Sequence, residues 1–371
     1  MKLGEALSFR NGKTSPDRSE GGMYQVHGSN GVIGYCNQSN APAGATVIGR
    51  VGSYCGNVHF LQSDSWVTDN AIFAFPKADQ DPRYWYFVLC HLKLGKLRHG
   101  SGQPLLNQEI LSGVDFDPQT LSEQRRIAGV LGALDDKIES NCAQQRIGEQ
   151  LLRAVIEGIL GQFSEADFIS FDAYCTQSKE SVRPENIGNG DKYIALEHMP
   201  RGSVFLNSWE TAKLAGIASN RTRFRHGDLL FGKLRPYFKK VGVAPVSGVC
   251  STDILVIRPR LPEFLPFIAV IASSDALIDS ISASATGTRM PRASWKEIAT
   301  WSVPQIPDET LTVLLHPANQ LMAFLETLSL QNLKLAQLRD ALLPELMSGR
   351  MRVDEAGCLV SEALDEEVRS V

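Results

Sequence analysis

The sequence predicts an α+β protein in which two modules with curved β-sheets are separated by two long helices packed as an antiparallel coiled coil. Three observations lead there. Irregular stretches rich in Gly, Ser and aromatic residues alternate twice with stretches almost free of them; both of the latter carry a repeat of about 3.5 residues; and the irregular stretches echo each other, at an offset of 183 at Gly49 and Gly232 and of 184 where Thr68-Asp69 faces Thr252-Asp253. The implied division is a first module at 1–118, a first long helix at 119–163, a second module at 164–307, a second long helix at 308–353 and an acidic tail at 354–371, expected to be flexible. With 371 residues, 43% hydrophobic and 21% charged, the chain is long enough for several packed cores and too balanced to be disordered.

In the first module, apolar residues alternate under glycine punctuation, which predicts short twisted strands. YQVHGSNGVIGYC and VIGRVGSYCG are dense in Gly, Ser and Asn, and Asn30, Arg50, Asn70 and Gln103 are candidate base readers in DNA. Asn and Gln match the edge of adenine, and Arg matches guanine. A turn explains Asn30 before Gly31 equally well.

The first helical segment steps alternately by four and three through Ile127, Leu131, Leu134, Ile138, Asn141, Gln145, Gly148, Leu152, Val155 and Ile159. The second does so through Leu314, Ala318, Leu321, Leu325, Leu328, Asn332, Leu335, Arg339, Leu342 and Leu346. Such steps keep one apolar seam facing a partner helix. A helix of about 35–40 residues spans on the order of 55 Å and needs such a partner. The two seams match in period and length, so each is the other's natural partner; the amphipathic back of its own module is the alternative for each. Asn141 and Asn332, near the middle of their seams, are candidates for fixing register.

In the second module, LLFGKLRPYFKKV and CSTDILVI repeat VIGRVGSYCGNV and VTDNAIFAF of the first. Gly49 faces Gly232, Arg50 faces Lys233 and Tyr54 faces Tyr237, so two copies imply duplication. The formal charge of −4 argues against nucleic acid only until it is divided by region: the tail from 354 holds six acidic residues against one basic. Between 221 and 240, by contrast, Arg221, Arg223, Arg225, Lys233, Arg235, Lys239 and Lys240 stand against Asp228 alone, interleaved with Phe224, Phe231, Tyr237 and Phe238. Arg221, Arg223, Lys233, Arg235, Tyr237, Lys239 and Lys240 are therefore candidate DNA-binding residues, joined by Arg289, Arg292 and Lys296 in GTRMPRASWKE. A solvated strand face with its aromatics in the core accounts for the first cluster as well; two clusters in one module favour DNA.

Motifs of chemistry are missing. The chain has no GxxxxGK[ST] loop, no HExxH, no GxSxG and no paired zinc ligands, and its seven histidines are isolated. Seven scattered cysteines read as reduced thiols of a cytoplasmic protein. The apolar run FLPFIAVIASS is short and carries a proline, so no membrane span is expected.

LSEQRRIAGVLGALDDKIESN resembles the signature that opens the first long helix of type I restriction-modification specificity subunits. LRDALLPELMSGRMRV is similar to the close of their second helical region, and HGSNGVIGY, YIALEHMPRG and GTRMPRASWKEI are similar to pieces of their target-recognition domains. The resemblance spans 1–353 in the family's order. It implies two target-recognition domains, each reading one half of a split site in double-stranded DNA, with helices that set the unread spacer. It also implies two methyltransferase subunits docked on the helices, restriction subunits joining them, and a prokaryotic cytoplasm. No cofactor belongs to this chain on that reading; S-adenosylmethionine, ATP and magnesium are bound by the partners. Rival readings are the recognition subunit of a methylation-only or other phage-defence complex, a coiled-coil adaptor that binds proteins alone, and an enzyme with an unfamiliar site.

Overall fold

A computed structural model describes residues 1–77, 80–97, 105–284 and 291–369. The chain divides into two compact units, Met1–Asp136 with Ala336–Ser370, and Lys137–Leu335. The fold is the expected α+β arrangement of sheets and long helices.

In the first unit an antiparallel sheet runs in the order Leu7–Asn11, Ala71–Pro76, Thr46–Gly49, Val58–Phe60. Its middle strands are buried on both faces, with Val47, Ile48 and Ile72 inaccessible, which is why they read as continuous apolar runs. A second sheet pairs the hairpin Tyr24–Gly28 and Gly31–Cys36 with Ser65–Val67, the last lying parallel to the first hairpin strand. The hairpin turn is Ser29 and Asn30, and Gly31 follows at φ +93°, a backbone that suits glycine. The helix Pro82–His91 starts on Asp81, whose carboxylate accepts from the Tyr84 backbone N–H at 2.9 Å, and it buries Tyr84, Trp85 and Phe87.

The second unit repeats this plan. Its antiparallel sheet runs Cys175–Ser178, Ile254–Pro259, Leu229–Gly232, Val241–Val243. The last three strands stand 183 residues from their counterparts in the first unit. Gly248–Cys250 lies parallel to Lys192–Ile194, as Ser65–Val67 lies parallel to Tyr24–Gly28. Arg221–Phe224 and Ser181–Val182 extend this second sheet, and the three-stranded sheet of the first unit has no counterpart to them. Phe264–Ala272 is almost wholly buried in the module core, which explains its apolar run. Among the described residues no single helix is long and apolar enough to cross a membrane.

The long helices are Leu121–Gln162 and Asp308–Met347. Within the second unit they run antiparallel: Asn141 bonds Gln331, Cys142 bonds Asn332, Gln145 bonds Ser329 and Gly148 lies under Leu325. Ascending one helix descends the other. Ile127, Leu131, Leu134, Asn141, Leu325, Leu328, Asn332, Leu335 and Leu342 are buried, and Ile138 is half-buried. The seam drifts toward the ends of the pair. Ile156 rather than Val155 is fully buried, and Leu311, Leu315 and Met322 are buried more deeply than Leu314 and Leu321. A straight helix at 3.6 residues per turn slides off a 3.5-residue repeat in this way.

Two boundaries differ from expectation. The second long helix stops at Met347 rather than 353, where Gly349 at φ +69° closes it and its N–H meets the Leu346 carbonyl. The supposed flexible tail is the helix Val353–Arg369. Val353, Ala356 and Val360, spaced by three and four, are buried, and Gly357 approaches Val130. The acidic count hid a short apolar stripe.

Candidate nucleic-acid interface

The duplicated strands end in a duplicated loop frame. In the second module, Gly232 N–H donates to Lys240 O at 2.8 Å, Lys233 N–H to Asp253 O at 2.8 Å, and Ala293 N–H to Lys233 O at 2.9 Å. In the first, Gly49 N–H donates to Asn57 O at 2.8 Å, Arg50 N–H to Asn70 O at 2.9 Å, and Leu106 N–H to Arg50 O at 3.0 Å. Isolated bridges join Leu234 to Arg292 and Val51 to Leu105. Each loop makes one 3-10 turn, Pro236–Phe238 or Gly52–Tyr54. Left-handed Arg235 (φ +51°) and Lys239 (φ +49°) flank the turn of the second module, and the facing positions of the first have the same sign of φ: Gly52 (φ +75°), which opens its turn, and Gly56 (φ +93°), two residues past its end. Left-handed backbone is strained for residues with a Cβ, so the second module holds by force a shape that glycine adopts freely. Gly49 permits close passage: a Cβ there would lie 2.3 Å from Tyr54 O and 2.6 Å from Ser29 O.

The frame gathers most of the sequence candidates. In the second module, Arg235 is exposed with its guanidinium 5.9 Å from the Phe238 ring, and Tyr237 is 49% exposed. Lys233 Nζ donates to Thr252 O at 2.6 Å, and Lys240 Nζ donates to Leu196 O. Burial lowers the Lys240 pKa, and the nearby Arg201 lowers it further. Lys239 is paired with Asp275, and Arg292 stands 3.6 Å from Asp253. Lys296 is exposed on the short helix Trp295–Ala299, which Ser294 and Glu297 cap.

Arg221 and Arg223 do not join them. They sit on the strand peculiar to the second module, in its other sheet, with Arg221 over the Tyr193 ring and Arg223 3.5 Å from Glu180. The apparent counter-charge Asp228 is buried, forked onto Arg258 at 2.7 and 2.8 Å, and it accepts the Arg225 N–H. It fixes a turn and leaves the loop cations alone.

In the first module Asn30, Arg50 and Asn70 converge. Asn57 Nδ2 donates to Asn30 Oδ1 at 3.0 Å, while Asn70 O accepts from both Arg50 N–H and Ser29 Oγ, the latter at 2.6 Å. Asn30 and Asn70 are exposed, and Arg50 is half-buried. Gln103 and Arg289 lie outside the described residues.

Three first-module side chains escaped the sequence reading. Tyr54 is 50% exposed at the tip of its loop, and its alignment with Tyr237 was the available signal. His27 and His59 lie beside the frame. Burial, then the proximity of His59, lowers the His27 pKa to about 4; burial also lowers that of His59. Both rings are therefore neutral near pH 7, and His27 Nδ1 and His59 Nε2 have no protein partner among the described residues. No spacing in the sequence announces them.

The family model for the type I restriction modification DNA specificity domain matches residues 1–147. The Escherichia coli type I restriction enzyme EcoDI specificity subunit is 24% identical over 139 residues, 38% of this chain and 31% of that protein. The EcoprrI specificity subunit of the same organism is 24% identical over 153 residues, 39% of this chain and 38% of that protein. The matched stretch thus spans about a third of the length of these relatives. The type I restriction-modification S subunit of M. genitalium has the same fold, with a TM-score of 0.58 at 14% identity over 93% of this chain and 95% of that one.

Proposed function

From the match of residues 1–147 to the type I restriction modification DNA specificity domain, we propose that this chain is the DNA-reading, non-catalytic subunit of a type I restriction-modification complex. Each module reads one half of a split site in duplex DNA. The observation that carries this is the loop frame built twice, with the same hydrogen bonds and a cationic residue at the same place, Arg50 or Lys233. Free cations supply affinity for phosphate, and polar side chains such as Asn30 and Asn70 supply donors and acceptors for base edges.

The long helices set the unread spacer and dock two methyltransferase subunits, which restriction subunits join. S-adenosylmethionine, ATP and magnesium belong to those partners, and the complex works in a prokaryotic cytoplasm. Adding one helical turn, about 5.4 Å, to both long helices would lengthen the preferred spacer by roughly one to two base pairs.

The test is co-expression with the methyltransferase subunit encoded beside this chain, followed by single-molecule mapping of adenine methylation. A split motif with a fixed spacer is expected. Absence of methylation together with absence of duplex binding by the purified complex would overturn the proposal and favour a protein-only adaptor.

A further inference from the structure

The two loops of the frame differ at most facing positions. At the offset that lays Gly49 on Gly232, Gly52 faces Arg235, Cys55 faces Phe238, Gly56 faces Lys239 and Asn57 faces Lys240. Tyr54, however, faces Tyr237, and the two rings are 50% and 49% exposed. Each ring stands in a 3-10 turn between left-handed residues, and in the second module that turn persists although Arg235 and Lys239 adopt a backbone that disfavours them. A large aromatic held half in solvent, twice, on the same turn, is not explained by packing.

Modules with unlike side chains at the other facing positions read unlike bases. A feature that both keep must therefore face what both half-sites share. In duplex DNA that common part is the sugar–phosphate backbone, to which tyrosine is a regular hydrogen-bond donor. Arg50 and Lys233, four residues before each ring, place a cation at the same point of both loops. We propose that Tyr54 and Tyr237 are a matched pair of backbone anchors, each donating its phenolic hydroxyl to a phosphate oxygen of its own half-site. They hold the modules on the duplex and carry no sequence information. The inference rests on the DNA-reading function above.

The full chain, co-purified with its methyltransferase partner, would be used to select binders from a randomised duplex library, as wild type, Tyr54→Phe and Tyr237→Phe. Affinity would then be measured on the enriched duplex and on a scrambled one. Each phenylalanine variant is expected to lose about ten- to 150-fold on both duplexes, as for one hydrogen bond to a charged group, and to enrich the wild-type motif in full. An unchanged thermal midpoint would show that the fold is intact. Wild-type affinity in both variants would overturn the anchor role, and a motif blurred in one half would make the tyrosine a base reader instead. Failure of the wild-type complex to retain any duplex would bring down the DNA-reading function itself, and it would be seen before any variant was compared.

Discussion

Arg235 and Lys239 occupy the two ends of one turn, both left-handed, yet their charges are placed differently. Arg235 is exposed and has no carboxylate partner among the described residues, whereas Lys239 is paired with Asp275 and holds that carboxyl below its usual pKa. Replacing each by glutamine removes one positive charge and preserves a residue with a Cβ, so the backbone strain is the same in both variants. A free cation that meets a phosphate releases one counterion, and its loss lowers the salt slope of log K by about 0.9. Between about 50 and about 200 mM salt, wild-type affinity therefore falls about 3.5-fold more steeply than that of Arg235→Gln. Lys239 must surrender Asp275 to reach a phosphate, so Lys239→Gln should change the slope by less than half as much. Fluorescence anisotropy on a fixed duplex at several salt concentrations measures both slopes. Equal slope changes in the two variants, or a larger one for Lys239→Gln, would refute the distinction between free and neutralised cations.

Asp228→Ala strands the Arg258 guanidinium and removes the acceptor for Arg225 N–H, so guanidinium chloride titration should show a loss of about 3 kcal/mol. Asn141 is fully buried with its Oδ1 unpartnered among the described residues, and the bond from its Nδ2 to Gln331 Oε1 is long at 3.4 Å. Asn141→Leu should therefore raise the thermal midpoint by a few degrees, and a fall would show that the amide is satisfied after all. Burial holds the folded His27 pKa near 4, below the ordinary 6.5, so the unfolded chain takes up protons first. This contribution to stability is complete above pH 6.5 and is lost as the pH falls from there toward 4. Thermal midpoints at pH 7.5 and pH 5 should differ less in His27→Gln than in wild type; an unchanged difference would remove His27 as the cause.

The duplication was legible because three strands of each main sheet, with the loop and frame glycine between them, keep one offset, and spacing survives where side chains differ. The helix pair was legible for the same reason, since a seam is a one-dimensional pattern. What failed is what depends on distant partners. Arg221 and Arg223 looked continuous with Lys233 and Arg235 in sequence, but a change of sheet separates them. Asp228 looked like the patch's own counter-charge, while its true partner, Arg258, lies thirty residues on. The acidic tail was judged by its charge, although Val353, Ala356 and Val360 suffice to seat a helix. His27 and His59 are unremarkable as isolated letters, and only folding buries them and lowers their pKa.

The division of the chain has a consequence in time. The unit that contains Met1–Asp136 also needs Ala336–Ser370, whereas the other is one uninterrupted stretch. Asp135 is made early, but its partner Arg339 leaves the ribosome some two hundred residues later, an interval of about 10–40 s at ordinary rates of synthesis. Throughout it, the helix face that bears Leu131 and Leu134 lacks the closing segment of its own unit, so the unit begun first is finished last. Nascent chains of this protein are therefore most exposed to chaperones and proteases at that helix.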